Sequence, residues 1–336
     1  MKLKNFNLKK KVFIIAEVGN NHEGNFSIAK KLVRLAAKAG ADAIKFQTFK
    51  TENFIRKKEI NRFKQLKKFE LSYEQFKSLK KLAHIKKIKF ISTPLDLESA
   101  DFLIKNADLI KIASGDNNFF PLIEKVLKSK KSIIISTGMI NILQIKDLTN
   151  YIYKVIGKKS AVKRIALLHC VTSYPVEDEF ANLRSVEYLI KNSKLTIGYS
   201  DHTIGNEACI AAVAMGAKII EKHFTINKKF SKFRDHALSA DYIDLKNIVS
   251  GIRKVEKQLG RFNKEIQKPE KKLIKIVRRA AYANKDIFPG EKLTTENINF
   301  LRPARTENFL ELNKIIDKQL KKRTTSNKII RLKNLY

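Results

Sequence analysis

Along most of its length the chain alternates between short apolar runs and longer stretches in which apolar residues recur every three or four positions. The short runs are VFIIAEV (12–18), AIKFQTF (43–49), IKFISTP (88–94), LIKIAS (109–114), SIIIST (132–137), RIALLHCV (164–171), LTIGYSD (195–201) and KIIEKHFT (218–225). They have strand length and are rich in β-branched residues. Segments such as SIAKKLVRLAAKAG, SYEQFKSLKKLAHIKK and INILQIKDLTNYIYKVIG lie between them with helical spacing, and DYIDLKNIVSGIRKVEKQLG follows the eighth run. Gly40, Gly157 and Gly216 stand where helix C-caps are expected. Strand followed by helix, eight times over, predicts an α/β fold of the (β/α)₈ kind, a TIM barrel, across residues 1–260. A doubly wound open sheet is the competing arrangement. It ordinarily carries a glycine-rich phosphate loop after its first strand, and VGNNHEGNF is not GxGxxG.

The rhythm stops near residue 260. RFNKEIQKPEKKLIKI is polar and basic, which predicts a linker over 261–277 with a short helix. RRAAYANKDIFPGEKLTTENINFLRPAR then shows short β-like runs and the turn signal PGE. A small β-rich module over 278–336 is expected, with too few residues for a generous core of its own.

The charge is the most unusual feature of the composition. Lys and Arg outnumber Asp and Glu by 69 to 33, a formal charge of +36. Such a balance raises nucleic acid as a partner. The lysines are spread along the whole chain, however, and no aromatic-basic recognition motif accompanies them. Solubility, coding bias and attraction of anionic substrates account for the charge without nucleic acid. The two cysteines, Cys170 and Cys209, are far apart and in no metal-type spacing; this suits a reducing compartment. The N-terminal VFIIA is too short for a signal h-region and is cut off by Glu17. No run approaches the roughly 20 apolar residues of a membrane span. A cytoplasmic protein without a membrane partner is expected.

The ends of the apolar runs carry the chemistry. The eighth, IIEKHFT, places Glu221 and His223 two apart and so on one face of a strand. The first delivers Glu17 and leads to Asn20, Asn21 and His22, and the second holds Lys45 and Gln47 on one face. Thr93 ends the third, Lys111 and Ser114 the fourth, and Ser136 the fifth. The sixth carries His169 and leads to Tyr174, and the seventh gives Ser200, Asp201 and His202. In barrels of this kind the C-terminal ends of the strands build the active site. Buried ion pairs rarely stabilise more than apolar packing does, so their number here points to function. Two lysines with several hydroxyls suit a compact phosphorylated anion. Histidines beside Glu and Asp suit a divalent metal, although no HExxH-type motif is present.

Taken together, AEVGNNHEGN, KFQTF, ISTP, KIASGD, ISTGM, LLHCVTSYP, GYSDHT and EKHFT resemble the sialic acid synthase family, in the family's order and over nearly the whole chain. KDIFPGEKLTTENINFLRP resembles the antifreeze-like SAF domain of these enzymes. The resemblance implies condensation of phosphoenolpyruvate with a 2-acetamido sugar aldehyde, typically N-acetylmannosamine, to give a nine-carbon keto acid (N-acetylneuraminate) and phosphate. It implies that Lys45, Thr93, Lys111, Ser114, Ser136 and Ser200 hold phosphoenolpyruvate, and that His202 and His223 ligate Mn²⁺ or Mg²⁺. Gln47, Tyr174 and Asp235 would contact the sugar, and Arg302 would reach it from the SAF domain of a partner subunit in a domain-swapped homodimer. Glu17 would serve as the base for water, with Glu221 second.

Three departures from the family pattern lie on the sugar side. Thr172 stands where some members have Asn. SKFRDHALS replaces Gly-Pro-Asp-His by Phe233-Arg234-Asp235-His236, and the stretch 55–71 has no residue-by-residue counterpart. A 6-deoxy-2,4-diacetamido hexose, as for a legionaminic- or pseudaminic-type acid, is therefore the alternative acceptor. A phosphosugar acceptor, a metal-dependent hydrolase and a nucleic-acid-binding protein are the more distant readings.

Overall fold

The computed structural model describes residues 1–302 and 314–336; the residues between, which fall inside the expected second module, lie outside the described residues. Each of the eight apolar runs forms a strand. They are β1 (Phe13–Gly19), β2 (Ala43–Thr48), β3 (Lys89–Pro94), β4 (Leu109–Ile112), β5 (Ser132–Ser136), β6 (Ile165–Cys170), β7 (Thr196–Asp201) and β8 (Ile219–His223). All pair in parallel with their sequence neighbours, and β8 pairs with β1 to close the barrel.

The helices between strands form for local reasons. Helix Phe26–Ala39 starts on Asn25, whose side chain accepts from the amides of Ser27 and Ile28, and buries Ala29, Leu32, Val33 and Ala36 at three- and four-residue steps. It ends on Gly40 at φ 90°, the left-handed geometry that glycine adopts without steric cost. Reciprocal capping boxes start Tyr73–Ile85 (Ser72 with Gln75) and Ile142–Ile156 (Asn141 with Gln144).

Alternation along each strand divides its residues between two cores. The outward set packs under the helices. The inward set begins as an apolar layer of Phe13, Ile15, Ala43, Ile91, Leu109, Ile134, Ala166, Leu168 and Ile219, closed from below by Leu3, Phe6 and Leu8 of the N-terminal segment. One step further along the strands the inward positions become Glu17, Lys45, Lys111, Ser136, Cys170, Ser200 and Glu221. The barrel is thus packed at its base and ionic at its mouth.

The chain divides into two compact units, Met1–Gly260 and Arg261–Tyr336. The second contains helix Glu270–Val277 and an antiparallel pair, β9 (Ala280–Ala283) with β10 (Ile298–Leu301). Isolated bridges such as Ile287 to Thr324 extend this pairing around a small core of Ala281, Ile287, Leu293, Ile298, Leu320 and Ile330. Among the described residues no helix is long and apolar enough to cross a membrane.

The inward position of Gly198 on β7 tests the packing at the base. A Cβ there would meet the carbonyl oxygen of Ile219, lie 2.6 Å from Leu168 Cδ2 and 2.8 Å from Ile219 Cβ. Backbone cannot yield as a flexible side chain can, so Gly198→Ala is expected to destabilise the barrel by about 1–3 kcal/mol. Thermal unfolding checks this; an unchanged transition would refute the close approach.

Candidate active site

The mouth of the barrel encloses a cavity of about 810 Å³. It is lined by every residue to which the family resemblance gave a role except Arg302, which follows β10 in the second unit and is exposed. The two lysines and two imidazoles expected to converge from separate strands do so.

At the floor lie four buried charges. Lys45 Nζ sits 3.0 Å from Glu17 Oε2 and 3.0 Å from Glu221 Oε2, while Lys111 Nζ is 3.3 Å from Glu221 Oε1. Parallel register brings them together: Glu17 is level with Lys45 on β2, and Glu221 is level with Ser200 on β7. Ser200 donates to Glu221 Oε1 at 2.9 Å. The two acids differ in consequence. Burial raises the pKa of Glu17, with Lys45 opposing the rise. Burial acts on Glu221 too, but Lys111, Lys45 and the Ser200 hydroxyl outweigh it and hold Glu221 below the usual carboxylate range. Lys45, desolvated but flanked by both acids, is raised, whereas desolvation lowers Lys111.

Hydroxyls ring this floor. Thr93 Oγ1 and Ser136 Oγ are buried without a hydrogen-bond partner in the protein, and such groups ordinarily have one. Ser114 Oγ accepts from the amide of Gly138 at 3.1 Å. Asn117, just past Ser114, donates from Nδ2 to the carbonyls of Ser136 (3.3 Å) and Gly138 (2.9 Å) and so ties the end of β5 to the turn after β4. Two lysines and two unpartnered hydroxyls around one space form a receptor for a small anion.

The imidazoles stand across the cavity. The rings of His202 and His223 have centroids 5.2 Å apart, with Tyr174 4.3 Å from His202 and 5.8 Å from His223. His202 Nδ1 is 2.7 Å from the Val171 carbonyl, which can only accept, so Nδ1 carries a proton and Nε2 is the nitrogen open to a ligand in the neutral ring. Burial lowers the pKa of His202, but Cys170, the Val171 carbonyl and Glu221 outweigh it and raise it. Burial holds the pKa of His223 well below the usual imidazole value, and its Nδ1 is buried with no hydrogen-bond partner. Two imidazoles side by side, one with an orphaned nitrogen, fit a divalent cation whose other positions are filled by water or substrate. Among the described residues there is no group of three or more His, Cys, Asp or Glu side chains that could enclose a metal by themselves.

The upper wall is mixed. Gln47 accepts from Asn20 Nδ2 at 2.9 Å. Asp235 pairs with Arg234 Nε at 3.2 Å, and the Arg234 guanidinium lies 4.8 Å from the Tyr174 ring centre. The stretch 55–71 carries helix Ile60–Phe69, which brings Arg62, Gln65, Leu66 and Phe69 to the cavity. Leu66, Phe69 and Leu95 pack with Phe54 and with Phe233 from the loop after β8 into an apolar cluster at the rim.

Four of the polar residues read at the strand ends do not line the cavity, contrary to the sequence reading. Asn21 Nδ2 donates to the Phe224 carbonyl (3.0 Å) and to Ser239 Oγ (2.9 Å), and His22 Nδ1 accepts from the Gly24 amide (3.0 Å). His169 faces outward, where its Nε2 meets the Ala181 carbonyl at 3.0 Å and its ring stacks on Tyr199; Cys170 is the inward residue of β6. Asp201 also faces outward, because Ser200 takes the inward position on β7. Asp116 was missed altogether. It follows Ser114 by two residues in KIASGD and lines the cavity, and burial pushes its carboxyl up to about 6, with Lys111 opposing. An acid four residues past the lysine-bearing strand was the available signal.

The Asp116 shift carries a sign. Its folded-state value exceeds the ordinary 3.8, so its contribution to stability is complete below about pH 4 and is lost as the pH rises through about 6. Asp116→Asn, which cannot ionise, is expected to gain in melting temperature on the unsubstituted protein between pH 4 and pH 7. Thermal melts across that range check it, and a difference independent of pH would refute the shift.

A match to the NeuB family spans residues 32–264. The chain is 38% identical to the N,N'-diacetyllegionaminic acid synthase of Campylobacter jejuni, over 96% of this chain and 99% of that one. It is 44% identical to an uncharacterized protein of Methanocaldococcus jannaschii, over 92% of this chain and 90% of that one. The crystal structure of the N-acetylneuraminic acid (sialic acid) synthetase of Leptospira borgpetersenii, in complex with citrate, superposes with a TM-score of 0.75 at 34% identity, covering 82% of this chain and 94% of that one. With the matched segment spanning most of the chain and the relatives aligned nearly end to end, this protein belongs to the NeuB family.

Proposed function

We propose that this protein condenses phosphoenolpyruvate with a 2-acetamido sugar aldehyde, forming a carbon–carbon bond and releasing phosphate. The observation that carries this reading is the convergence of Lys45 and Lys111 with the unpartnered hydroxyls of Thr93 and Ser136 in one cavity with the His202–His223 pair. Lys45, Lys111, Thr93, Ser114, Ser136 and Ser200 bind the phosphate and carboxylate of phosphoenolpyruvate. They hold its C3 toward the aldehyde, a gain from orientation as well as charge. A divalent cation, Mn²⁺ or Mg²⁺, held by His202 and His223 would supply Lewis-acid polarisation of the aldehyde oxygen.

Attack of C3 on the aldehyde carbon leaves positive charge at C2, next to the bridging oxygen. Water adds there, and Glu17, whose raised pKa brings it nearer neutrality, takes the proton. Collapse of the tetrahedral centre expels phosphate. Glu221, held ionised between Lys45 and Lys111, keeps those ammonium groups in place.

For the acceptor, the apolar rim of Phe54, Leu66, Phe69, Leu95 and Phe233 favours a 6-deoxy-2,4-diacetamido hexose. Such a sugar presents a C6 methyl and a second acetyl methyl where N-acetylmannosamine presents hydroxyls. The 38% identity to a diacetyllegionaminic acid synthase supports the same choice. Arg62, Lys232 and Arg234 also line the cavity, so a 6-phosphosugar belongs in the same trial. Arg302 is proposed to reach the sugar from a partner subunit's second unit in a homodimer.

Incubation with phosphoenolpyruvate, Mn²⁺ and each of three acceptors tests this reading: the diacetamido hexose, N-acetylmannosamine and N-acetylmannosamine 6-phosphate. Phosphate release with the highest kcat/KM for the first is expected. No release with any of them would sink the proposed reaction. His223→Ala is expected to abolish metal-dependent turnover while the melting transition stays; retained turnover would refute the metal role. Glu17→Gln is expected to lower kcat by about 10²–10⁴-fold, the usual weight of a positioned base, with phosphoenolpyruvate still bound.

A further inference from the structure

Behind the active site, on the outer face of β7 and β8, lies a second buried ion pair that the reaction does not use. Lys222 Nζ sits 2.6 Å from Asp201 Oδ2, and the two side chains are 2% and 0% exposed. They are level with one another in the register of β7 and β8. Every polar atom of Asp201 is occupied. Oδ1 accepts from the Tyr199 hydroxyl (3.0 Å), the Thr203 amide (2.9 Å) and the Thr203 hydroxyl (2.8 Å), and Oδ2 also accepts from Cys209 Sγ (3.3 Å) of helix Glu207–Ala214. Lys222 donates in addition to the Thr203 carbonyl at 2.5 Å.

Apolar residues would fill this space at no loss of stability, since buried ion pairs seldom surpass them. What the pair does that they would not is fix geometry. Asp201 is followed by His202 and Lys222 by His223, and Thr203, held by both partners, lies on the far side of His202. The backbone on each side of His202 is therefore clamped to the residue that precedes His223. We propose that Lys222 and Asp201 are a positioning pair, which sets the separation and aim of the two imidazoles and thereby the affinity of the divalent cation they hold. The inference rests on the metal role given above to His202 and His223.

The test measures Mn²⁺ binding to the full-length, metal-free protein by titration calorimetry, beside thermal unfolding. Lys222→Met alone leaves a buried carboxylate without a countercharge and is expected to lower the melting temperature. The double variant Asp201→Asn/Lys222→Met removes both charges but keeps an acceptor for Tyr199 and Thr203, so most of the melting temperature is expected to return. Its Mn²⁺ affinity is expected to stay about 10–100-fold below that of the unsubstituted protein, the usual weight of the groups that orient metal ligands. A double variant that melts normally and binds Mn²⁺ as tightly as the unsubstituted protein would overturn the positioning role and leave the metal site intact. Unsubstituted protein that binds no Mn²⁺ would overturn the metal reading itself, and the positioning role with it. Should the double variant not fold, Tyr199→Phe and Cys209→Ala each remove one donor to Asp201 and leave the ion pair. A loss of affinity of about threefold or more at normal melting temperature is then expected, smaller than for removal of the pair, and unchanged affinity in both overturns the proposal.

Discussion

Two carboxylates and two ammonium groups are buried together in the lumen at the barrel mouth, and the geometry of the site follows from that constraint. Desolvating four charges is tolerable only where each is paired, and pairing here requires β1, β2, β4 and β8 to arrive in fixed register. Glu17 lies level with Lys45 and with His223, and Glu221 lies level with Ser200. The pairing is also unequal. Lys45 is held between two acids, whereas Lys111 contacts Glu221 alone among the described carboxylates, at the longer distance of 3.3 Å. On the proposed reading, an arriving phosphate would meet one ammonium group already flanked by two acids and one paired with a single acid.

Stability and chemistry occupy different heights in the same tube. At the base, Phe13, Ile15, Ile91, Ile134 and Leu168 fill the lumen, and the N-terminal segment covers them. One inward step later the residues are ionic or hydroxylic, with the thiol of Cys170 among them. Because successive inward positions are two residues apart, the change costs each strand a single polar substitution. The helices, packed on the outward set, are insulated from it.

The eight strands and their order were legible because strand and helix periods alternate plainly. Parity was harder where a strand is apolar on both faces. IALLHC offers no alternation by which to tell whether His169 or Cys170 points inward, and strands covered on both sides ordinarily read this way. His169, the residue read at the end of the sixth run, faces outward to the Ala181 carbonyl. LTIGYSD has the same defect: Ser200 and Asp201 are both polar, and only the neighbouring register separates them. Phe69 and Leu66 of the stretch 55–71 reach the cavity through a helix whose exposed lysines hide its apolar face in the sequence. Asp116 went unseen because a turn residue has no periodicity to betray it.

The run Glu221-Lys222-His223 concentrates these lessons. Three ionisable residues in a row within a buried strand would ordinarily argue against the strand. Two are satisfied on opposite sides, Glu221 by the lysines and Ser200 and Lys222 by Asp201 and Thr203, while His223 stands beside His202 with its Nδ1 unpartnered. The lysine and imidazole groups therefore sit on or next to strands whose two faces are both pinned. The rim of the cavity is built differently, from helix Ile60–Phe69 and the loop after β8, joined by the edge-on contact of Phe69 with Phe233 at 5.2 Å. Loops and short helices accept substitution where a pinned strand does not. A family that keeps one donor substrate and varies its sugar has its rigidity and its freedom distributed in just that way.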